Sequence, residues 1–164
     1  GATLRKIYFA ASGSAGPRDD PGTPNPFGMV PAGQGLLDTL PEPGTLPAWL
    51  AQADLDVFIR SYARSGFRGG LNYYRNLDRN WTLQASLDGK TVDVPALYLV
   101  GARDTGLAIP GMKQIIDAMP ALVPDLRAVE FIEGAGHWLQ QEAPDAVNER
   151  LVAFLQGVVN GLPS

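Results

Sequence analysis

Apolar residues recur along this chain with two different spacings, and the change between them divides it. In the first half the spacing is helical. "LRKIYF" sets Leu4, Ile7 and Tyr8 on one side of a helix, and "ADLDVFIRSYARSG" places Leu55, Phe58, Ile59 and Tyr62 at i, i+3, i+4 and i+7. The second of these predicts an amphipathic helix that stops at Gly66, a residue suited to a C-terminal cap. "GLNYYRNLDRNWTL" then puts Leu71, Tyr74 and Trp81 on one side, with Leu77 and Asp78 between the last two, so this pair reads as a helical hairpin. Residues 13–47 interrupt the pattern. They are dense in Gly and Pro, which break helix and strand alike. An excursion of that length is either an element covering a functional site or a linker.

From "SLDGKTVDVPALYLVGARD" onward the pattern shortens. A polar turn precedes a nearly continuous apolar run from Val94 to Val100, closed by Gly101, as expected of a strand buried on both faces of a parallel sheet. A helix is predicted around 110–119, and "LRAVEFIEGAGH" supplies a second short strand ending in glycines. The last helix starts near Pro144, a favoured first-turn residue, and carries Val147, Leu151, Phe154, Leu155 and Val158 on one face. The order β–α–β–α makes the fold class α/β, with parallel strands flanked by helices. The chain holds no internal repeat and no low-complexity tract.

Composition narrows the chemistry. With 45% hydrophobic and 18% charged residues the chain has the make-up of an ordinary folded domain. Thirteen basic against 17 acidic residues, a formal charge of -4 and the lack of any Lys/Arg cluster argue against nucleic acid as a partner. There is no cysteine and only one histidine, without HxxxH or HxH spacing, so disulfides and thiolate metal sites are excluded and a zinc site lacks ligands. Oxygen nucleophiles and one imidazole remain. No apolar run approaches the roughly 18–20 residues that span a bilayer, and "GATLRKIYF" lacks the layout of a signal peptide, so no membrane partner and a cytoplasmic location are expected. The chain begins without Met and runs from Gly1-Ala2 directly into helical spacing, as if starting within a structure.

The single histidine lies in "GAGHWLQQEAP". Two parallel strands joined by a crossover helix point the same way, so the loops "GARDTG" and "EGAGHW" leave the same edge of the sheet. That edge is where open α/β sheets bind ligands. Asp104 and His137 are thereby brought together across 33 residues of sequence. A carboxylate that accepts the imidazole Nδ1–H fixes the tautomer and leaves Nε2 to act as a general base. The bland alternative is a pair of solvated loop residues. Gly101, Gly134 and Gly136 suit sharp turns after strands. No GxSxG-like strand–elbow–helix stretch precedes Asp104, and "SGSAG" at 12–16 follows a helical pattern and lacks the spacing.

"SGFRGGLNYYRNLDRNW", "VPALYLVGARD" and "GAGHWLQQEAPDAVNERLVAFL" resemble, in that order, the end of the cap and the C-terminal part of the core of the α/β-hydrolase-fold epoxide hydrolases. The likeness runs through about residues 3–160, allowing for the Gly/Pro-rich region. It implies a partial helical cap over residues 1–90, including the excursion at 13–47, and a C-terminal part of the hydrolase core over 91–164. It also implies a hydrolase without cofactor or metal that opens a small-molecule epoxide through an aspartyl ester and releases a vicinal diol. In that resemblance His137 matches the water-activating base, Asp104 the acid that orients it, and Tyr74 the second cap tyrosine, a phenol that donates to the epoxide oxygen. Tyr73 stands where many members have Trp and is assigned to packing. Trp138 packs beside the histidine or shapes the pocket, and both belong to the candidate substrate-binding set. Tyr8 follows the first cap tyrosine of the family and is not given that role.

The nucleophilic aspartate, the first cap tyrosine and most of the sheet have no counterpart in these residues, so the resemblance implies an N-terminal half as partner, and inactivity of the chain alone. Two alternatives stay open: a haloalkane dehalogenase or esterase using a similar acid–histidine pair, and an inert fragment that binds or homo-oligomerises through its sheet edge.

Overall fold

Leu55 is the most deeply buried large side chain of the helical part, and the helices assemble around it. The computed structural model describes residues 1–15 and 30–161. Helix α1 (Ala2–Ala11) brings Leu4 and Tyr8 to Leu55, and the segment after the short helix α2 (Leu36–Thr39) adds Leu46, Trp49 and Leu50. Helix α3 (Gln52–Ser65) follows and contributes Leu55 and Ile59 from the predicted stripe. It ends at Gly66, whose φ of 65° is the left-handed conformation expected there and whose N–H donates to Tyr62 O at 2.8 Å. The predicted excursion at 13–47 therefore divides. Residues 40–50 pack into the helical core, with Leu40, Pro43, Pro47 and Leu50 buried, while 16–29 lie outside the described residues.

The second member of the predicted hairpin is two helices, α4 (Arg68–Arg75) and α5 (Leu77–Leu83). They are separated at Asn76, whose side-chain amide donates to Asn72 O at 2.7 Å and terminates the first helix from its own side chain. Leu71, Tyr74 and Trp81 therefore do not form one stripe on one helix, and all three are exposed.

The core part follows the predicted order. Strand β1 (Ala96–Gly101), helix α6 (Met112–Leu122) and strand β2 (Leu126–Ile132) form a parallel pair with its crossover, in register from Leu97 opposite Ala128 to Gly101 opposite Ile132. A short helix α7 (Leu139–Glu142), which periodicity did not predict, leads into α8 (Pro144–Asn160), with Pro144 in its first turn. Ile132, Ala135 and Leu139 form the second core cluster, with Leu99, Ala146 and Val147 packed on it.

Two expectations are corrected here. β1 is buried on both faces only at Val100 and Gly101, because the described sheet has two strands. Likewise the predicted face of α8 is covered only in part by the narrow sheet: Val147, Phe154 and Val158 are half-buried, whereas Leu151 and Leu155 are exposed.

Candidate active site

Both loops that leave the C-terminal ends of the strands are drawn against each other by backbone bonds. Ala102 N–H donates to Ile132 O and Arg103 N–H to Ala135 O, each at 2.9 Å. This close approach explains the glycines better than turn conformation does. A Cβ at Gly101 would lie 2.3 Å from Gly136 O, and one at Gly136 would lie 2.3 Å from Gly13 N. Only Gly134, with φ 77°, needs the left-handed region.

With the loops so placed, Asp104 and His137 meet. Nδ1 of His137 is 3.0 Å from Oδ1 and 3.2 Å from Oδ2 of Asp104. Asp104 is itself fixed at the start of a 3-10 turn, where Oδ1 accepts the Gly106 N–H at 2.7 Å. The Asp104 side chain is 15% exposed and that of His137 52%, so the acid is held from behind while the imidazole keeps an open side. Burial by itself raises the Asp104 carboxyl. The hydrogen bonds from His137 and from the Gly106 N–H, together with the imidazolium charge, outweigh it and hold the group below the ordinary carboxylate value. His137 is raised above the ordinary imidazole value, first by the bond to Asp104, against burial, and then by the charges of Asp104 and Glu142.

The rest of the histidine loop is held by groups that sequence reasoning missed. His137 N–H donates to Ala11 O at 2.9 Å, and the Trp138 indole N–H donates to Tyr8 O at 2.9 Å, with its ring edge-on to that of Tyr8 at 4.8 Å. Trp138 also stands edge-on to His137 at 5.1 Å. Glu142 accepts from four donors: Ser12 Oγ at 3.1 Å, Gly13 N–H at 2.8 Å, Gly136 N–H at 3.1 Å and Trp138 N–H at 3.0 Å. Ser12, fully buried, also accepts the Trp49 indole N–H at 3.0 Å. The one signal for Glu142 in the sequence is its place in "HWLQQEAP", five residues beyond the histidine.

Tyr73, Tyr74 and Trp138 are brought to one cavity of about 670 Å³, lined also by Tyr8, Tyr62 and Phe67. Asp104 and His137 are not among its lining residues, and Trp138 is the link between cavity and dyad. Tyr73 is 80% and Tyr74 73% exposed, so packing within the described residues accounts for neither. Among the described residues no three His, Cys, Asp or Glu side chains converge as a metal ligand set, and no helix is long and apolar enough to cross a membrane.

No family model matches the chain. Individual relatives do. It is 43% identical over 130 residues to epoxide hydrolase A of Mycobacterium tuberculosis, covering 79% of this chain and 39% of that protein. In fold it is similar to an epoxide hydrolase from an endophytic Streptomyces, with a TM-score of 0.86 and 41% identity over 99% of this chain and 47% of that one. Epoxide hydrolase A from Mycobacterium thermoresistibile gives a TM-score of 0.81 and 38% identity over 96% of this chain and 46% of that one. The chain thus spans less than half the length of the relatives it matches. In sequence over about four-fifths of its length, and in fold over nearly all of it, this chain is similar to part of the α/β-hydrolase-fold epoxide hydrolases.

Proposed function

We propose that these residues supply the base and one cap donor of an epoxide hydrolase whose nucleophilic aspartate comes from polypeptide outside the 164 residues. On this reading residues 1–90 are part of the cap and 91–164 part of the core. The observation that carries it is the hydrogen bond from His137 to Asp104, made by a histidine whose other side is open.

The aspartate carboxylate attacks an epoxide carbon, forming an ester as the ring C–O bond breaks. Tyr74 donates its phenolic proton to the oxygen on which charge develops. His137 Nε2 then takes a proton from water as its oxygen adds to the ester carbonyl; when the ester C–O bond breaks the diol oxygen takes that proton back from the imidazolium, and the proton left on the new carboxyl group restores the Tyr74 phenol, which regenerates the carboxylate. Asp104 stabilises the imidazolium formed in that second step. The aromatic cavity beside Trp138 suits an apolar substituent on the epoxide. The names of the relatives, all epoxide hydrolases, support an epoxide over a haloalkane or ester substrate.

The test is turnover of a panel of epoxides by the full-length protein and its His137→Gln variant. Expected is diol formation by the parent, and in the variant a covalent ester that accumulates and adds the substrate mass to the protein. Diol formation that persists in His137→Gln would remove His137 from the mechanism, and absence of epoxide turnover by the parent would remove the activity.

A further inference from the structure

Glu142 stands in an unusual position for a carboxylate. It accepts four hydrogen bonds, three from backbone N–H groups and one from a hydroxyl, and among the described residues no Lys or Arg forms an ion pair with it. Its two oxygens divide the work. Oε1 holds Trp138 N–H, on the residue directly after the histidine, and Oε2 gathers Gly136 N–H, on the residue directly before it, with Ser12 Oγ and Gly13 N–H from the end of α1. One side chain thus grips the backbone on both sides of His137 and ties it to a segment 130 residues away. Ser12 extends the chain to the Trp49 indole in the helical core.

The hydrogen-bond donors on Glu142 are all backbone or hydroxyl groups. An ionised acceptor makes such bonds short and strong, whereas an amide in its place must turn its NH₂ toward at least one N–H. The Asp104 bond fixes only where Nδ1 points; the height and tilt of the ring depend on the backbone of residues 136–138.

We propose that Glu142 is a positioning residue for His137: its carboxylate sets the backbone on either side of the histidine so that the imidazole can hold Asp104 and present Nε2 outward at the same time. This rests on the reading of His137 as the base that hydrolyses the ester. Glu142 touches no substrate and acts through the histidine. The charged groups that bear on the imidazole are Asp104 and Glu142 itself; Arg103, next to Asp104, turns its guanidinium to Gly13 O at 3.0 Å and so supports the same segment.

The experiment compares full-length parent and Glu142→Gln in two ways. In single-turnover kinetics the hydrolytic step is expected to fall about a hundredfold, the cost of displacing a reacting group by about an ångström, with ring opening little changed and the ester accumulating. The loss should persist at high pH, where His137 is neutral in both proteins. In ¹⁵N-histidine-labelled protein, with His137 assigned by its absence in His137→Gln, the imidazole should titrate at lower pH and its Nδ1–H signal should weaken. Unchanged hydrolysis together with an unchanged His137 signal overturns the proposal, and so does an equal fall in both steps, which marks a purely structural role. If the parent turns over no epoxide, the functional reading fails and the Nδ1–H signal alone decides the positioning claim, because loss of the Glu142 charge by itself lowers the titration. If Glu142→Gln does not fold, Ser12→Ala, which removes one donor and keeps the carboxylate, is read in the same two ways. A smaller shift in the same direction supports the proposal and none overturns it.

Discussion

Asp104 and His137 meet at 3.0 Å, and the same Oδ1 that faces the imidazole takes the Gly106 N–H at 2.7 Å. The acid is therefore pinned by its own turn as well as by the histidine, and the ring is oriented against a fixed partner.

Replacing Asp104 with Asn leaves an oxygen in place but removes the charge and lets the amide pair with the wrong tautomer. The hydrolytic step is expected to fall on the order of 10⁴-fold, while ring opening, which in the proposed mechanism does not use His137, is expected to stay within reach of the parent. Rapid-quench detection of the ester separates the two steps.

The pH dependence follows from the two opposite shifts. A raised His137 means the base is neutral only above the ordinary imidazole value of about 6.5, so the hydrolytic rate should climb with pH through a midpoint above it. For stability, the raised histidine contributes fully below its unfolded value and loses that contribution as pH rises through the folded one. The lowered Asp104 contributes above its unfolded value and loses it as pH falls through the folded one. The pair therefore stabilises most between roughly pH 4 and 6.5. Subtracting the Tm of His137→Gln from that of the parent across pH should give a difference greatest in that window; a difference that is flat or grows toward pH 9 contradicts the assignment.

Tyr73 and Tyr74 are neighbours in sequence, both lining the aromatic cavity, yet only one is assigned a proton to give. Tyr74→Phe should slow ring opening by about 10²–10³-fold, the usual cost of losing one donor to a developing oxyanion, and Tyr73→Phe should change it little. Stopped-flow measurement of ester formation in both variants distinguishes them, and the reverse order would exchange their roles.

Gly136 sits where a Cβ would run into the backbone of Gly13, Ala11 and Ser12. Gly136→Ala should destabilise by about 1–3 kcal/mol or more, as overpacking against unyielding backbone does. Gly157, inside α8 with nothing within 4 Å of its Cβ position, should gain about 0.5–1 kcal/mol on replacement by Ala. Urea denaturation of the two variants measures both.

What could be read from the residues alone was what local pattern encodes. The run from Val94 to Gly101 and the segment "LRAVEFI" announced two strands, and the geometry of a crossover then placed Asp104 beside His137 with no side chain in view. The break at Asn76 escaped because helical spacing of Leu71, Tyr74 and Trp81 continues across it, while the interruption comes from one amide turning back on Asn72. The exposure of Leu151 and Leu155 escaped because periodicity reveals which residues share a face and not whether anything meets that face. Glu142 was hidden more deeply. Four of the groups that define its place are on Ser12, Gly13, Gly136 and Trp138, and the first two lie about 130 residues upstream. The roles of Tyr73, Tyr74 and Trp138 rested on resemblance, and spacing alone offered only a packing stripe.

The carbonyls of Tyr8 and Ala11 anchor the Trp138 indole and the His137 amide to the last turns of α1. A motion that widens the aromatic cavity by lifting α1 would pull His137 from its seat, so these bonds tie α1 and the histidine loop into one body. By contrast α4 and α5, beyond the left-handed Gly66, carry side chains that lie open from Phe67 to Leu87. On the proposed function, a change in the width of the cavity that leaves the histidine seated would therefore come from α4 and α5 and not from α1.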